Sequence, residues 1–155
     1  MDGSDPADKR AIELAQRALD ELSNGSWKPD IAEYQAALDA ARSPALKARL
    51  ASLVTHHYFS SNAMAAALVS CETWLAHAPA DRSAQDSKLS ILVRLRRFDE
   101  VIAAARARLA AEPESFKLHA ALANACWQTG DLAAARDHGR ICIELQDSQF
   151  GLAHP

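Results

Sequence analysis

The stretch HAALANACWQTGDLAAARDHGRICIEL, residues 119–145, decides the fold of this chain. Leu122 and Ala123 precede a turn at Gly130-Asp131, and the small residue Ala135 follows it. Alanine supplies about a fifth of the chain and is the best helix former among the amino acids. The stretch therefore predicts two helices joined by a tight turn.

The same residue classes recur earlier in the chain at a step of 34 residues. Pro79 and Pro113 stand 34 residues apart, and each closes a helix-like segment. This period is typical of helix–turn–helix units that stack and bury their apolar faces against their neighbours. The apolar columns at this step are Met64, Phe98 and Leu132; Ala67, Val101 and Ala135; Leu68 and Ile102; Leu75, Leu109 and Ile143; and Tyr58, Leu92 and Cys126.

The pattern resembles the tetratricopeptide repeat (TPR), with its large–small pair, its Gly-Asp turn and its small residue in the second helix. The resemblance implies an all-α fold, a right-handed α-solenoid of about eight helices, with repeats at 48–81, 82–115 and 116–149. Three positions depart from the family pattern. Lys88-Leu89 replaces the large–small pair, Arg96-Arg97 replaces the turn Gly-Asp, and His119 stands at the usual Trp position.

Residues 1–47 are predicted to form a divergent helical hairpin or cap. Asp5-Pro6 is a helix start signal, and Pro29 suits the first turn of a second helix. The tail, residues 150–155, follows the last helix without a visible capping helix, so it either folds back or marks a longer protein. Two apolar faces are predicted for the hairpin: Ile12, Ala15, Leu19 and Leu22, then Ile31, Tyr34, Leu38 and Ala41.

Composition excludes several functional classes. The net charge of −3 and the pI near 6.0 are not those of a nucleic-acid-binding protein. No apolar run approaches the ~20 residues of a membrane span, so we expect no membrane insertion. Three cysteines without a CxxC pair favour a reducing compartment, the cytoplasm, and the Ala- and Arg-rich composition indicates a bacterial source.

No catalytic, cofactor or metal motif is present, so we expect no enzyme activity within these residues and no cofactor. His56 and His57 point about 100° apart on a helix and do not converge on one metal ion. Cys71, Cys126 and Cys142 fall at packing columns and are expected in the core. The cluster Arg94, Arg96, Arg97, Arg106 and Arg108 is interpreted as a solvated face, with an anion or acidic-partner site as the alternative.

The resemblance implies a non-catalytic protein–protein interaction module that binds a peptide or partner helix in a concave groove. Trp127 is interpreted either as buried between repeats or as an exposed anchor. Ser52 and His56 stand where a carboxylate clamp would need Lys and Asn, which disfavours recognition of a chaperone tail. The predicted groove residues are Arg49, Ser52, His56, Ser60, Asp86, Ser90, Arg94, Lys117, Asn124, Trp127 and Gln128.

Two alternatives stay open at this point. The chain is either a free-standing adaptor or small secretion-type chaperone, or the N-terminal scaffold region of a larger enzyme, such as a bacterial transferase, with its chemistry beyond Pro155. Self-association into a homo-oligomer is a third option for the partner.

Overall fold

The computed structural model describes residues 5–149, and within this range the chain forms eight α-helices and no strand. This confirms the predicted all-α fold. In chain order the helices are α1 (Pro6–Ser23), α2 (Ile31–Ala40), α3 (Pro44–Ser60), α4 (Met64–His77), α5 (Arg82–Arg94), α6 (Phe98–Leu109), α7 (Phe116–Thr129) and α8 (Leu132–Gln149).

The 34-residue step is visible in the helix starts and in the turns between paired helices. Helices α4, α6 and α8 begin at Met64, Phe98 and Leu132. Two residues before each start, the backbone has a positive φ, of 59° at Asn62, 59° at Arg96 and 87° at Gly130. The predicted repeat boundaries 48–81, 82–115 and 116–149, and the hairpin boundary at residue 47, stay predictions.

These three turns share the same pair of hydrogen bonds. The N–H of Asn62, Arg96 or Gly130 donates to the carbonyl three residues earlier, over 3.0–3.2 Å, and the next N–H donates five residues back, over 2.8–3.0 Å. This is the Schellman arrangement, which satisfies the last carbonyls of a helix. Arg96-Arg97 therefore departs from the family pattern in sequence only, because it forms the same turn.

Side-chain caps explain where several helices begin. Asp5 and Ser43 accept hydrogen bonds from the first turns of α1 and α3, and each is followed by a proline at the first helical position. Asp and Ser are preferred capping residues because their side-chain oxygens accept from the first turn, and proline suits the next position because its φ is already helical. The prediction that Pro29 lies in the first turn of α2 was wrong: Asp30 caps this helix, and Pro29 precedes the cap. Pro29 lies outside because Asp30 supplies the acceptor for Ala32 N–H.

The chain divides into two compact units, one ending at Ile91 and the other beginning at Leu92. In the first unit, α1 and α2 pack against α3, and α3 packs against α4. Its core is a cluster of ten buried residues: Ala11, Leu14, Ala18, Tyr34, Ala37, Leu38, Ala41, Leu50, Ala51 and Val54.

In the second unit, α7 packs against both α6 and α8. The predicted column of Ala67, Val101 and Ala135 is buried in all three copies, which fits its role in close helix contacts. Leu132 and Ile143, by contrast, are exposed on α8. The prediction that their two columns are packing positions is therefore wrong in the third copy, because no described helix follows α8 to cover that side. The predicted tail, residues 150–155, lies outside the described residues.

The predicted core face of α1 is also wrong in large part. Ile12, Leu19 and Leu22 are 51%, 44% and 39% exposed. The buried face consists of Ala11, Leu14, Ala15 and Ala18, of which only Ala15 was predicted. Two apolar faces overlap on this helix, and the alanine-rich one packs inward because small side chains let neighbouring helices approach closely.

Candidate functional site

The groove residues predicted in the first unit lie on α3 and α5. Arg49, His56 and Ser60 are exposed along α3, at steps of seven and four residues that keep them on one side. Ser52, between them, is half-buried, and its hydroxyl donates to the carbonyl of Arg49 over 2.7 Å. On α5, Ser90 is exposed and Asp86 is half-buried.

A small cavity opens beside His56 in this unit. Its volume is about 210 Å³, and its wall consists of Leu22, Gly25, Trp27, His56, His57 and Ser60. Pockets for cofactors and drug-sized ligands run to roughly 300–1,000 Å³. The cavity is therefore too small for a nucleotide or flavin and suits one side chain of a bound segment.

Trp27 is the centre of this cavity wall. Its ring lies 6.2 Å from the ring of His56 at a tilt of 33°, and 6.2 Å from that of His57, edge to face. Its indole N–H donates to the Tyr34 hydroxyl over 3.3 Å, and that hydroxyl donates to the carbonyl of Leu14 over 3.3 Å. This hydrogen-bonded chain fixes the indole in place while part of its surface stays accessible.

The predicted groove residues included neither Trp27 nor His57. Both residues line the cavity because the connection between α1 and α2, residues 24–30, brings Trp27 to the C-terminal end of α3. A tryptophan in a short polar connection was the one sequence signal for this contact.

The groove residues predicted in the second unit lie mainly on α7. Lys117, Asn124 and Gln128 are exposed at steps of seven and four residues, and Trp127 is 65% exposed. The interpretation of Trp127 as a buried packing residue is therefore wrong; its exposure is confirmed, and its role as an anchor stays a prediction. It is exposed because Leu122, Ala125 and Cys126 form the buried face of this helix.

A second aromatic residue on α7 was missed in the sequence. Phe116 is also an exposed large hydrophobic residue, and it precedes Trp127 by eleven residues. Eleven residues are about three helical turns, so the two rings lie on one side of the helix, roughly 16 Å apart along its axis. Half-buried Ala120 and Ala123 lie between them, which leaves a shallow apolar strip.

The arginine cluster is largely engaged in local contacts. Arg97 pairs with Glu100 and Arg108 with Glu112, the latter over 3.1 Å. The Arg96 guanidinium lies 5.3 Å from the centre of the Phe98 ring and donates to Gln128 over 3.3 Å. Arg94, at the end of α5, is exposed. These contacts favour the interpretation as a solvated face, with Arg96 at the edge of the α7 strip.

His119 and His138 form a ring pair between α7 and α8. The His119 side chain is buried; its Nε2 lies 2.8 Å from the Pro113 carbonyl, and its Nδ1 lies 3.0 Å from Nδ1 of His138. Nε2 must carry a proton to donate to that carbonyl, so in the neutral pair the Nδ1 of His119 accepts from His138. Burial, followed by the charges of His119 and Arg106, lowers the pKa of His138.

The cysteines have the properties of packing residues. Cys71 and Cys126 are buried, and Cys142 is half-buried, so the expectation of a core position is wrong for Cys142. It lies nearer the surface because α8 has no described helix on its outer side. Burial raises the pKa of Cys71 to about 11 and also raises the pKa of Cys126 and Cys142. Reactive cysteines have a lowered pKa, so these thiols do not resemble nucleophiles.

Among residues 5–149, no group of three or more His, Cys, Asp or Glu side chains is arranged to hold a metal ion. Over the same range, none of the helices has the length and apolar character that crossing a bilayer requires.

No protein-family model and no curated protein matches this sequence. A similar solved structure is that of MamA (MamA RS-1 ArsTM double mutant), a TPR-containing protein, with a TM-score of 0.74 and 20% sequence identity. The match covers 90% of this chain and 76% of the MamA chain. At this level of identity the similarity concerns the fold alone, and on that evidence the chain has a TPR-like helical-repeat fold.

Proposed function

We propose that this chain is a non-catalytic protein-interaction module. It binds a peptide or a partner helix through the exposed faces of the first helices of its repeats, α3, α5 and α7. The observation that carries this proposal is Trp127, a large apolar side chain held 65% exposed on α7 between polar neighbours. Tryptophan is highly buried on average in soluble proteins and is enriched in binding hot spots.

The face of α7 has the composition of an interface. Phe116 and Trp127 supply apolar anchors, while Asn124 and Gln128 beside them supply hydrogen-bond donors and acceptors. Such a pattern suits a helix or an extended segment that brings its own apolar side chains. The residues proposed to contact the partner are Arg49, Ser52, His56, Ser60, Asp86, Ser90, Arg94, Lys117, Asn124, Trp127 and Gln128.

The free thiols are consistent with a location in a reducing compartment, the cytoplasm. Cys71 and Cys126 are free and buried. Disulfides are rare in the cytosol, where thiols are kept reduced, so unpaired thiols of this kind fit that compartment.

The test compares Trp127→Ala with Ile143→Ala in pull-downs from the source organism. Ile143 is a matched control because it is 62% exposed but lies on α8, a second helix. Truncating a true anchor costs about 2 kcal/mol or more. A partner retained by the wild type and by Ile143→Ala but lost with Trp127→Ala supports the proposal. A partner that both variants retain overturns it.

A further inference from the structure

An exposed apolar stripe on α1 leads to the mouth of the Trp27 cavity. The stripe consists of Ile12, Leu19 and Leu22, which fall within an arc of about 80° on the helix, and all three are exposed. Leu22 also forms part of the cavity wall. The α1 stripe and the Trp27 cavity therefore meet at Leu22 within the first unit.

The cavity walls select the shape and chemistry of an inserted group. The Trp27 and His56 rings are tilted by 33°, while Trp27 and His57 meet edge to face. Aromatic groups pack favourably in both arrangements. The cavity has a volume of about 210 Å³. An aromatic or branched aliphatic side chain fits this space.

The charge around the stripe selects a basic partner. Residues 1–40 carry nine acidic and four basic side chains, a net charge of −5, whereas residues 41–155 carry eleven acidic and thirteen basic ones. Arg10 pairs with Glu13 and with Glu33 of α2, Arg17 pairs with Glu33, and Arg42 pairs with Asp5. Asp20, which flanks the stripe, accepts a hydrogen bond from a neutral partner, Gln16, over 3.3 Å.

We propose that the α1 stripe and the Trp27 cavity bind a basic amphipathic helix of another protein, with one of its aromatic or branched aliphatic side chains in the cavity. The partner's lysines or arginines face Asp20, and its apolar side chains lie on Ile12 and Leu19. This inference rests on the proposed function, because His56 and Ser60 belong to both surfaces. A second copy of this chain is disfavoured as the occupant, because two segments of charge −5 would repel each other.

The probe for this test is an 18-residue helical peptide of leucine and lysine with one phenylalanine in its apolar face. Two control peptides are used: one with glutamate in place of lysine, and one of identical composition with the amphipathic order scrambled. Binding is followed by ¹H–¹⁵N NMR titration of the full chain, with the indole N–H of Trp27 as the reporter. We expect the lysine peptide to shift this signal and both control peptides to bind at least about tenfold more weakly, a difference of ~1.4 kcal/mol.

The matched variants are Leu19→Gln with Leu22→Gln, and Val69→Gln as the control. Val69 is an exposed apolar residue on α4 of the same unit, away from the cavity wall. We expect the α1 variant to raise the Kd at least about tenfold and Val69→Gln to leave it within about twofold. All replaced side chains are exposed, and circular dichroism checks that each variant is folded.

Several results would overturn the inference. The first is a Trp27 indole signal that the lysine peptide does not shift, and the second is a control peptide that binds as tightly as the lysine peptide. The third is a dimer of the wild-type chain in sedimentation that becomes a monomer in the α1 variant. If Trp127→Ala abolishes peptide binding and the α1 variant does not, the α7 face takes the peptide. The proposed function would then stand while this inference falls. If α1 binds the peptide but Trp127→Ala retains every cellular partner, the α1 stripe and the Trp27 cavity stand as a binding surface on their own, and the proposed function of the α7 face falls.

Discussion

At the scale of single residues, the turns show how far sequence reasoning reaches. Gly130-Asp131 was readable as a turn because glycine adopts positive φ without steric cost. Arg96 was not, because a left-handed conformation costs a non-glycine residue about 1–2 kcal/mol. The structure nevertheless places Arg96 at φ 59°. The turn's hydrogen bonds, which satisfy the last carbonyls of α5, offset part of that cost, and no local sequence pattern predicts them.

The two glycines of the third repeat make a matched pair for testing this. Gly130 has φ +87°, Gly139 lies within α8, and a Cβ at either would meet nothing within 4 Å. Gly130→Ala is expected to lower the free energy of unfolding by about 1 kcal/mol, because only backbone strain is added. Gly139→Ala is expected to raise it by about 0.5–1 kcal/mol, because alanine is the better helix former. Urea denaturation measures both; changes of equal sign would contradict the turn geometry.

At the scale of elements, the contact between α7 and α8 carries a test of the repeat register. Ala135 is buried on α8, and Ala133 on the same helix is exposed. Ala135→Leu should overpack the contact and cost about 1–3 kcal/mol, whereas Ala133→Leu should change stability by less than about 0.5 kcal/mol. The unfolding midpoint is the measurement. An unchanged midpoint for Ala135→Leu would show that another face of α8 packs inward.

The His119–His138 pair should make this same contact sensitive to pH. Burial is the first cause, and the charges of His119 and Arg106 add to it, while Asp137 and Asp131 act in the opposite direction; the net result is a pKa of His138 below its usual 6.5. The unfolded chain then binds a proton more readily than the folded one. The stability is therefore fully present above about pH 6.5 and decreases as the pH falls through the folded pKa.

The expected result is a lower urea midpoint at pH 5.5 than at pH 7.5 for the wild type, and a smaller difference for His138→Gln. His77→Gln is the control, because His77 is exposed at the end of α4 and should keep the wild-type difference. Equal pH differences in all three proteins would show that the pair does not couple protonation to folding.

Helix α1 shows why an amphipathic pattern alone does not fix a buried face. Ile12, Leu19 and Leu22 are more hydrophobic than Ala11 and Ala18, and the sequence therefore favoured them. Packing against α2 and α3 favours the alanine side instead. The repeated helices were predictable because three copies at a 34-residue step restrict the register, a restriction that α1 lacks.

At the scale of the whole molecule, the sequence predicted the all-α repeat fold, because periodicity summed over three copies outweighs local departures. The cavity at Trp27 was not predictable, since it depends on how one short connection crosses the end of α3. The exposure of Trp127 was left as one of two options, because the 34-residue period shows which positions are equivalent in the repeats but not how deeply each position is buried.

The most direct test of an interaction surface on the first helices is hydrogen-exchange mass spectrometry of the chain with and without its captured partner. The proposed function predicts slower exchange in α7, residues Phe116–Thr129, on binding, and unchanged exchange in α8, residues Leu132–Gln149. The two helices belong to one repeat, so each serves as the control for the other. Protection confined to α8 and the other second helices, with α7 unaffected, would contradict the assignment of the binding face.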